Sequence, residues 1–133
     1  MKYPYEEEIR REIKRSQKAL IAAQKLFEEG LFEDAISRSY YSVLHAAKAV
    51  LLGEHTMVDS HEAVKRLFGM HLVKTGKIDA KFSKILREEQ DERFLADYDV
   101  SFSPEPERVE KRIKDAECFL EGMNSYLKQK GIN

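Results

Sequence analysis

Apolar positions along this chain recur at alternating spacings of four and three, which lines one face of an α-helix, and the alternation of two that marks a strand is absent. Five helical segments follow. From about Pro4 to Glu29, Ile9, Ile13, Ser16, Leu20, Ala23 and Phe27 form one stripe. Glu6, Glu7 and Glu8 suit the positive end of the helix dipole there, and Gly30 is a stop. From Phe32 to Leu52, Phe32, Ile36, Tyr40, Val43, Ala47 and Val50 form the main stripe, and Ala35, Ser39, Ala46 and Ala49 widen it with small residues that permit close helix packing. This predicts the central helix, ended by Gly53. A loop over Glu54–Ser60 precedes a third segment, whose start is assigned to an Asp59-x-x-Glu62 capping box and whose end is Thr75-Gly76. The fourth segment runs from an Asp79 cap to about Leu95, with Phe82, Ile85 and Leu86 inward. After a non-periodic stretch from Tyr98 to Pro106, the fifth carries Val109, Ile113, Ala116, Leu120, Met123 and Leu127 up to Gly131. The first and fifth segments have heptad-like seams, so the expected fold class is all-α, an up-and-down bundle.

Composition narrows this picture. At 133 residues and 42% hydrophobic, the chain supports one core and a single domain over residues 1–133. A net charge of −1 provides no global basic field for nucleic acid, and leaves only a local patch to do so. Cys118 is the lone cysteine, in keeping with a reducing cytoplasm. The charged stretch from Met1 to Arg11 does not read as a signal peptide, and no apolar run is long enough to span a bilayer. No metal-ligand spacing, Gly-rich phosphate loop or nucleophile elbow is found, so neither metal nor cofactor is expected.

Three blocks carry a family resemblance. Ser37-Arg38-Ser39-Tyr40-Tyr41-Ser42-Val43-Leu44-His45-Ala46-Ala47-Lys48-Ala49 resembles the Ser-Arg-x-Tyr-Tyr-Ala-x-x-x-Ala signature of small stand-alone HEPN-domain proteins. His61, Phe68 and Lys74-Thr75-Gly76 are similar to their third-helix block, and Arg93-x-x-Ala96-Asp97-Tyr98 to their Arg-x-x-Ala-Asp-Tyr block. The blocks lie in the family's order across the middle of the chain. The resemblance implies a helical bundle, a homodimer, and pairing with a minimal nucleotidyltransferase, often as a toxin–antitoxin system. It also implies that some members are metal-independent ribonucleases, marked by Arg, four to six residues, then His, often followed by x-Tyr.

Metal-independent RNA cleavage needs a base near the 2′-hydroxyl and a cation near the scissile phosphate, tasks suited to His and Arg. Arg38 with His45 and Arg66 with His71 have permitted spacings, although about 0.8 such pairs arise by chance in this composition. Arg66 and His71 point about 140° apart on a helix. Asp34, Arg38, Tyr41, His45 and Lys48 instead form a polar stripe along the otherwise apolar central helix. Arg38 and His45 lie about 10 Å apart along the axis, and Arg38 leans away from His45, so an active pair is expected from opposite subunits. In that reading His45 is the acid or base, Arg38 holds phosphate, and Tyr41 holds the imidazole or the phosphate. The plainer reading of the stripe is a solvated face or a dimer support.

His61, in the first turn of its helix, is expected neutral and hydrogen-bonded. Arg93 and Asp97, at i and i+4, are expected to pair and, with Tyr98, to clamp the following loop. Lys48, His61, Arg93, Asp97 and Tyr98 join Tyr41 as candidate binding residues. One departure from the ribonuclease pattern is clear: no histidine follows His71, so Arg93 lacks one. Two function classes remain open. One is a ribonuclease with its site between subunits; the other is a non-catalytic module presenting a dimer groove to a partner protein or nucleotide. The small residues of the central helix, Ala46 and Ala49 among them, are expected to serve the dimer surface.

Overall fold

The computed structural model describes residues 4–132. Its helices are α1 (Glu6–Glu28), α2 (Phe32–Gly53), α3 (His61–Phe68), α4 (Ala80–Tyr98) and α5 (Pro106–Gln129), and a π-helical turn, Gly69–Val73, continues α3. No strand occurs among the described residues, and none of these helices is long and apolar enough to cross a membrane.

Helix boundaries follow local chemistry. Gly30 takes the left-handed conformation, φ 76°, that lets Leu31 N–H turn back onto Leu26 O at 2.9 Å and close α1. The cap of α3 is Ser60 rather than Asp59: Ser60 Oγ accepts from Ala63 N–H at 3.1 Å. A cap must sit immediately before the first helical residue, and α3 begins at His61. Asp79 caps α4 as expected, accepting from Lys81 N–H at 2.8 Å. That helix continues to Tyr98, beyond the predicted end near Leu95. Pro106 opens α5 at a position where its missing N–H costs no helical hydrogen bond.

The middle of the bundle is α2, whose most extensive packing is against α1, followed by α5 and α4. Ala35, Ile36, Tyr40, Val43, Ala46, Ala47, Ala49, Val50 and Leu51 are all fully enclosed. The expected dimer surface at Ala46 and Ala49 is therefore corrected: both lie in the chain's own core, because neighbouring helices cover α2 on every apolar side. The large exposed apolar side chains instead include Phe94, Tyr98 and Val100 around the end of α4.

Two polar links cross this core. Ser16 Oγ on α1 donates to Ser42 O on α2 at 2.7 Å, and Ser39 Oγ lies 2.8 Å from both Arg112 O and Glu89 Oε1. Hydroxyls this short let the backbones approach while keeping buried polar atoms satisfied.

Candidate functional site

The Ser16–Ser42 link sets the register of the site. One helical turn before Ser16 on α1 is Glu12, and about one turn after Ser42 on α2 is His45. Because the two helices run antiparallel, these side chains meet: His45 Nδ1 lies 2.7 Å from Glu12 Oε1. Lys48 Nζ, one turn further along α2, lies 3.5 Å from Glu12 Oε2. Burial by itself raises the Glu12 carboxyl, but the His45 hydrogen bond and the Lys48 charge outweigh it and hold the group below the ordinary carboxylate range. An ionised carboxylate only accepts, so Nδ1 carries the proton. In the neutral imidazole the lone pair then sits on Nε2.

A second cluster joins the same face. Arg93 on α4 donates to Tyr41 Oη at 3.1 Å, and its guanidinium carbon lies 5.4 Å from the Tyr40 ring centroid and 5.7 Å from that of Tyr41. Arg93 Nε forms an ion pair with Asp97 Oδ2 at 2.9 Å, without the angle of a hydrogen bond. Ser37 Oγ donates to Asp97 Oδ1 at 2.6 Å, which ties α4 back to α2. The His61 ring lies 5.6 Å from the Tyr40 ring and 6.1 Å from the Tyr41 ring. Burial lowers its pKa first, and the charges of Arg93, Lys48 and His45 lower it further, so His61 is neutral near pH 7. The Tyr40 hydroxyl is buried with no hydrogen-bond partner among the described residues, and burial pushes its pKa up.

Arg38 is engaged within α2 by Tyr41, three residues further along the helix. Its guanidinium folds over the Tyr41 ring, 5.0 Å from the centroid, and Arg38, Tyr41 and His45 line one cavity of about 430 Å³ between α1 and α2. The negative face of the ring attracts the guanidinium and holds it there. The fold thus gathers Arg38, Tyr41, His45, Lys48, His61, Arg93 and Asp97 on one side of the bundle. Tyr98 stays apart, two-thirds exposed and packed on Phe94 with ring centroids 5.0 Å apart. Arg66 and His71 are both exposed, and His71 lies in the π-helical turn.

Sequence reasoning missed Glu12. It is one of many glutamates on a charged helix, and only the α1–α2 register distinguishes it. The one available signal was Ser16, a polar residue on an apolar stripe, which marks a close crossing. Among the described residues, no three His, Cys, Asp or Glu side chains converge as a metal ion would require.

This is an all-helical bundle with a histidine–carboxylate pair and several cations assembled on its central helix. The HEPN domain family model matches residues 9–126, and the chain belongs to that family. Two Methanocaldococcus jannaschii proteins, each bearing the name "putative toxin", are similar. One is 35% identical over 123 residues, covering 92% of this chain and 91% of the relative. The other is 29% identical over 132 residues, covering 99% and 90%. A Pyrococcus horikoshii protein named UPF0332 is 39% identical over 89 residues, covering 67% of this chain and 63% of its own.

Proposed function

We propose that this chain is a toxin-like HEPN protein that cleaves RNA without a metal, as the homodimeric partner of a minimal nucleotidyltransferase in a toxin–antitoxin-like pair. The toxin reading draws on the names of the M. jannaschii relatives. The observation that carries the chemistry is the 2.7 Å hydrogen bond between His45 Nδ1 and Glu12, which leaves Nε2 as the basic nitrogen. In the proposed step, His45 Nε2 takes the proton of a 2′-hydroxyl as the O2′–P bond forms. The P–O5′ bond breaks, and the 5′-oxygen takes a proton from solvent. The products are a 2′,3′-cyclic phosphate and a 5′-hydroxyl. Arg38 and Lys48 stabilise charge on the phosphoryl oxygens, and Glu12 is a positioning residue acting through His45. Since Arg38 and His45 line one cavity of a single chain, the pair is read as intrachain rather than as shared between subunits.

Purified protein, freed of its partner, should cleave RNA in the presence of a chelator. His45→Ala and Arg38→Ala should each lower the rate at least about a hundredfold. Mixing the two inactive variants should restore nothing; recovery would return the pair to a composite site across the dimer. Glu12→Gln should alter the pH–rate profile, because the neutral amide no longer favours the Nδ1–H tautomer.

A second reading is a non-catalytic module that presents this face to a partner or a nucleotide. The engagement of Arg93 by Tyr41 and Asp97, with no later histidine beside it, favours this reading. An intact protein that never cleaves RNA would establish it over the first.

A further inference from the structure

The cavity beside His45 opens into a second of about 470 Å³, and the two share Arg15, Lys18 and His45. Six cations line the joined groove: Arg11, Lys14, Arg15 and Lys18 from α1, and Arg38 and Lys48 from α2. Only two carboxylates, Glu8 and Glu12, line it as well, so the groove carries a net charge of four positive within a chain whose total is −1. Glu12 is taken up by His45 and Lys48. Lys14, Arg15, Lys18 and Arg38 form no ion pair among the described residues. Cations without an ion pair among the described residues also lie outside the groove, Lys25, Lys84, Arg87 and Lys128 among them; the groove differs in gathering four of them, Lys14, Arg15, Lys18 and Arg38, side by side. Unmatched charge gathered along one concave strip focuses potential there and favours a polyanion.

We infer that this groove is a phosphate-backbone track that holds single-stranded RNA alongside His45. The inference rests on the proposal that RNA is the substrate, and it adds the site that binds the strand. Arg11, Arg15 and Lys18 recur at four and three, one stripe about 10 Å long. A nucleic-acid strand carries one phosphate per about 3.4 Å of axis, so the stripe spans about three phosphates. Arg38 extends the track past His45 onto α2. A lone nucleotide would leave one end of this strip unmatched, so the length favours a strand.

Binding can be read apart from cleavage with a fluorescein-labelled 2′-O-methyl RNA oligonucleotide, which lacks the attacking hydroxyl. Anisotropy titrations of the full chain over a salt series give Kd and its salt slope, which for single strands is about −0.7 per phosphate neutralised. Arg15→Gln with Lys18→Gln should reduce the slope by about 1.4 and weaken binding at least about tenfold in low salt. The control pair, Lys111→Gln with Lys114→Gln on α5, should change neither quantity. All four side chains are exposed, and circular dichroism verifies that each variant folds. Equal losses in both double variants would overturn the track in favour of diffuse charge. Full competition by a mononucleotide triphosphate, with no gain in affinity for longer strands, would overturn it in favour of a nucleotide pocket. The two proposals fail separately. Loss of cleavage in His45→Ala alongside an unchanged slope in the Arg15/Lys18 variant removes the track and keeps the chemistry. A track-dependent slope in a protein that never cleaves removes the chemistry and keeps the track.

Discussion

Glu89→Gln should change how the stability of this protein depends on pH. Glu89 lies on α4 with its side chain fully enclosed between α2 and α5. Burial pushes its carboxyl up to about 8, opposed in part by the charge of Arg112, whose Nη1 is 3.8 Å away, and by the hydrogen bond to Ser39. The hydrogen bonding agrees with a neutral acid. Ser39 has one hydroxyl proton and two neighbouring oxygens, Arg112 O and Glu89 Oε1, each at 2.8 Å. If Glu89 carries its proton and donates to Ser39, Ser39 is free to donate to Arg112 O, and both contacts of the Ser39 hydroxyl are satisfied. In the unfolded chain the same carboxyl titrates near 4.5. Between that value and about 8 the native state therefore holds a proton that the unfolded state has released. Stability from this group is fully present below 4.5 and declines through the window, at up to about 1.4 kcal/mol per pH unit. Glutamine keeps a donor for Ser39 and has no proton to lose. From about pH 5.5 to about pH 7.5, Glu89→Gln should therefore gain about 2 to 3 kcal/mol relative to wild type, and the difference should level off above about pH 8. Urea unfolding followed by far-ultraviolet circular dichroism, at one fixed protein concentration, measures both curves. Parallel pH profiles for the two proteins would refute the reasoning.

Glu54 has the opposite sign. Burial alone raises it, but hydrogen bonds from Lys130, Lys77 and Tyr126 prevail and hold it at about 2, so its contribution is present above 4.5 and lost as pH falls toward 2. Glu54→Gln should cost about 1 to 3 kcal/mol near pH 7 and flatten the acid limb of the unfolding profile, as read by thermal melts. At Gly122 a Cβ would overlap the Phe82 ring, so Gly122→Ala should destabilise by about 1 to 3 kcal/mol, and Phe82→Leu in the same chain should recover part of the loss in urea titrations. Ser60→Ala should cost about 1 kcal/mol by removing the α3 cap, while Asp59→Ala should cost far less, a contrast that the same titrations resolve.

The helices were legible because each must bury one face, and burial writes a period of 3.6 into the chain. Cap positions were less legible: Asp59 and Ser60 are both good caps, and only the backbone decides which of them precedes the first helical residue. The polar stripe Asp34, Arg38, Tyr41, His45 and Lys48 stood out because charge on a central helix needs a reason. What the stripe meets was hidden. Ala46 and Ala49, read as a surface for a second subunit, turned out to face α2's own neighbours, since small residues serve close packing within a chain as well as between chains.

By itself, then, the sequence determined that the chain is helical, how many helices it has, the main apolar stripe of each, and, through three short blocks, its family. These are properties of single helices or of local strings of residues, where spacing is the whole of the geometry. Tertiary structure alone decided that Glu12 meets His45, that Arg93 reaches Tyr40 and Tyr41 from α4, and that the cations of α1 share a groove with Arg38 and Lys48. Those pairings depend on the register and crossing of helices far apart in the chain, set by the fit of a few side chains such as Ser16 against Ser42. No periodicity within one helix encodes where another helix will lie against it.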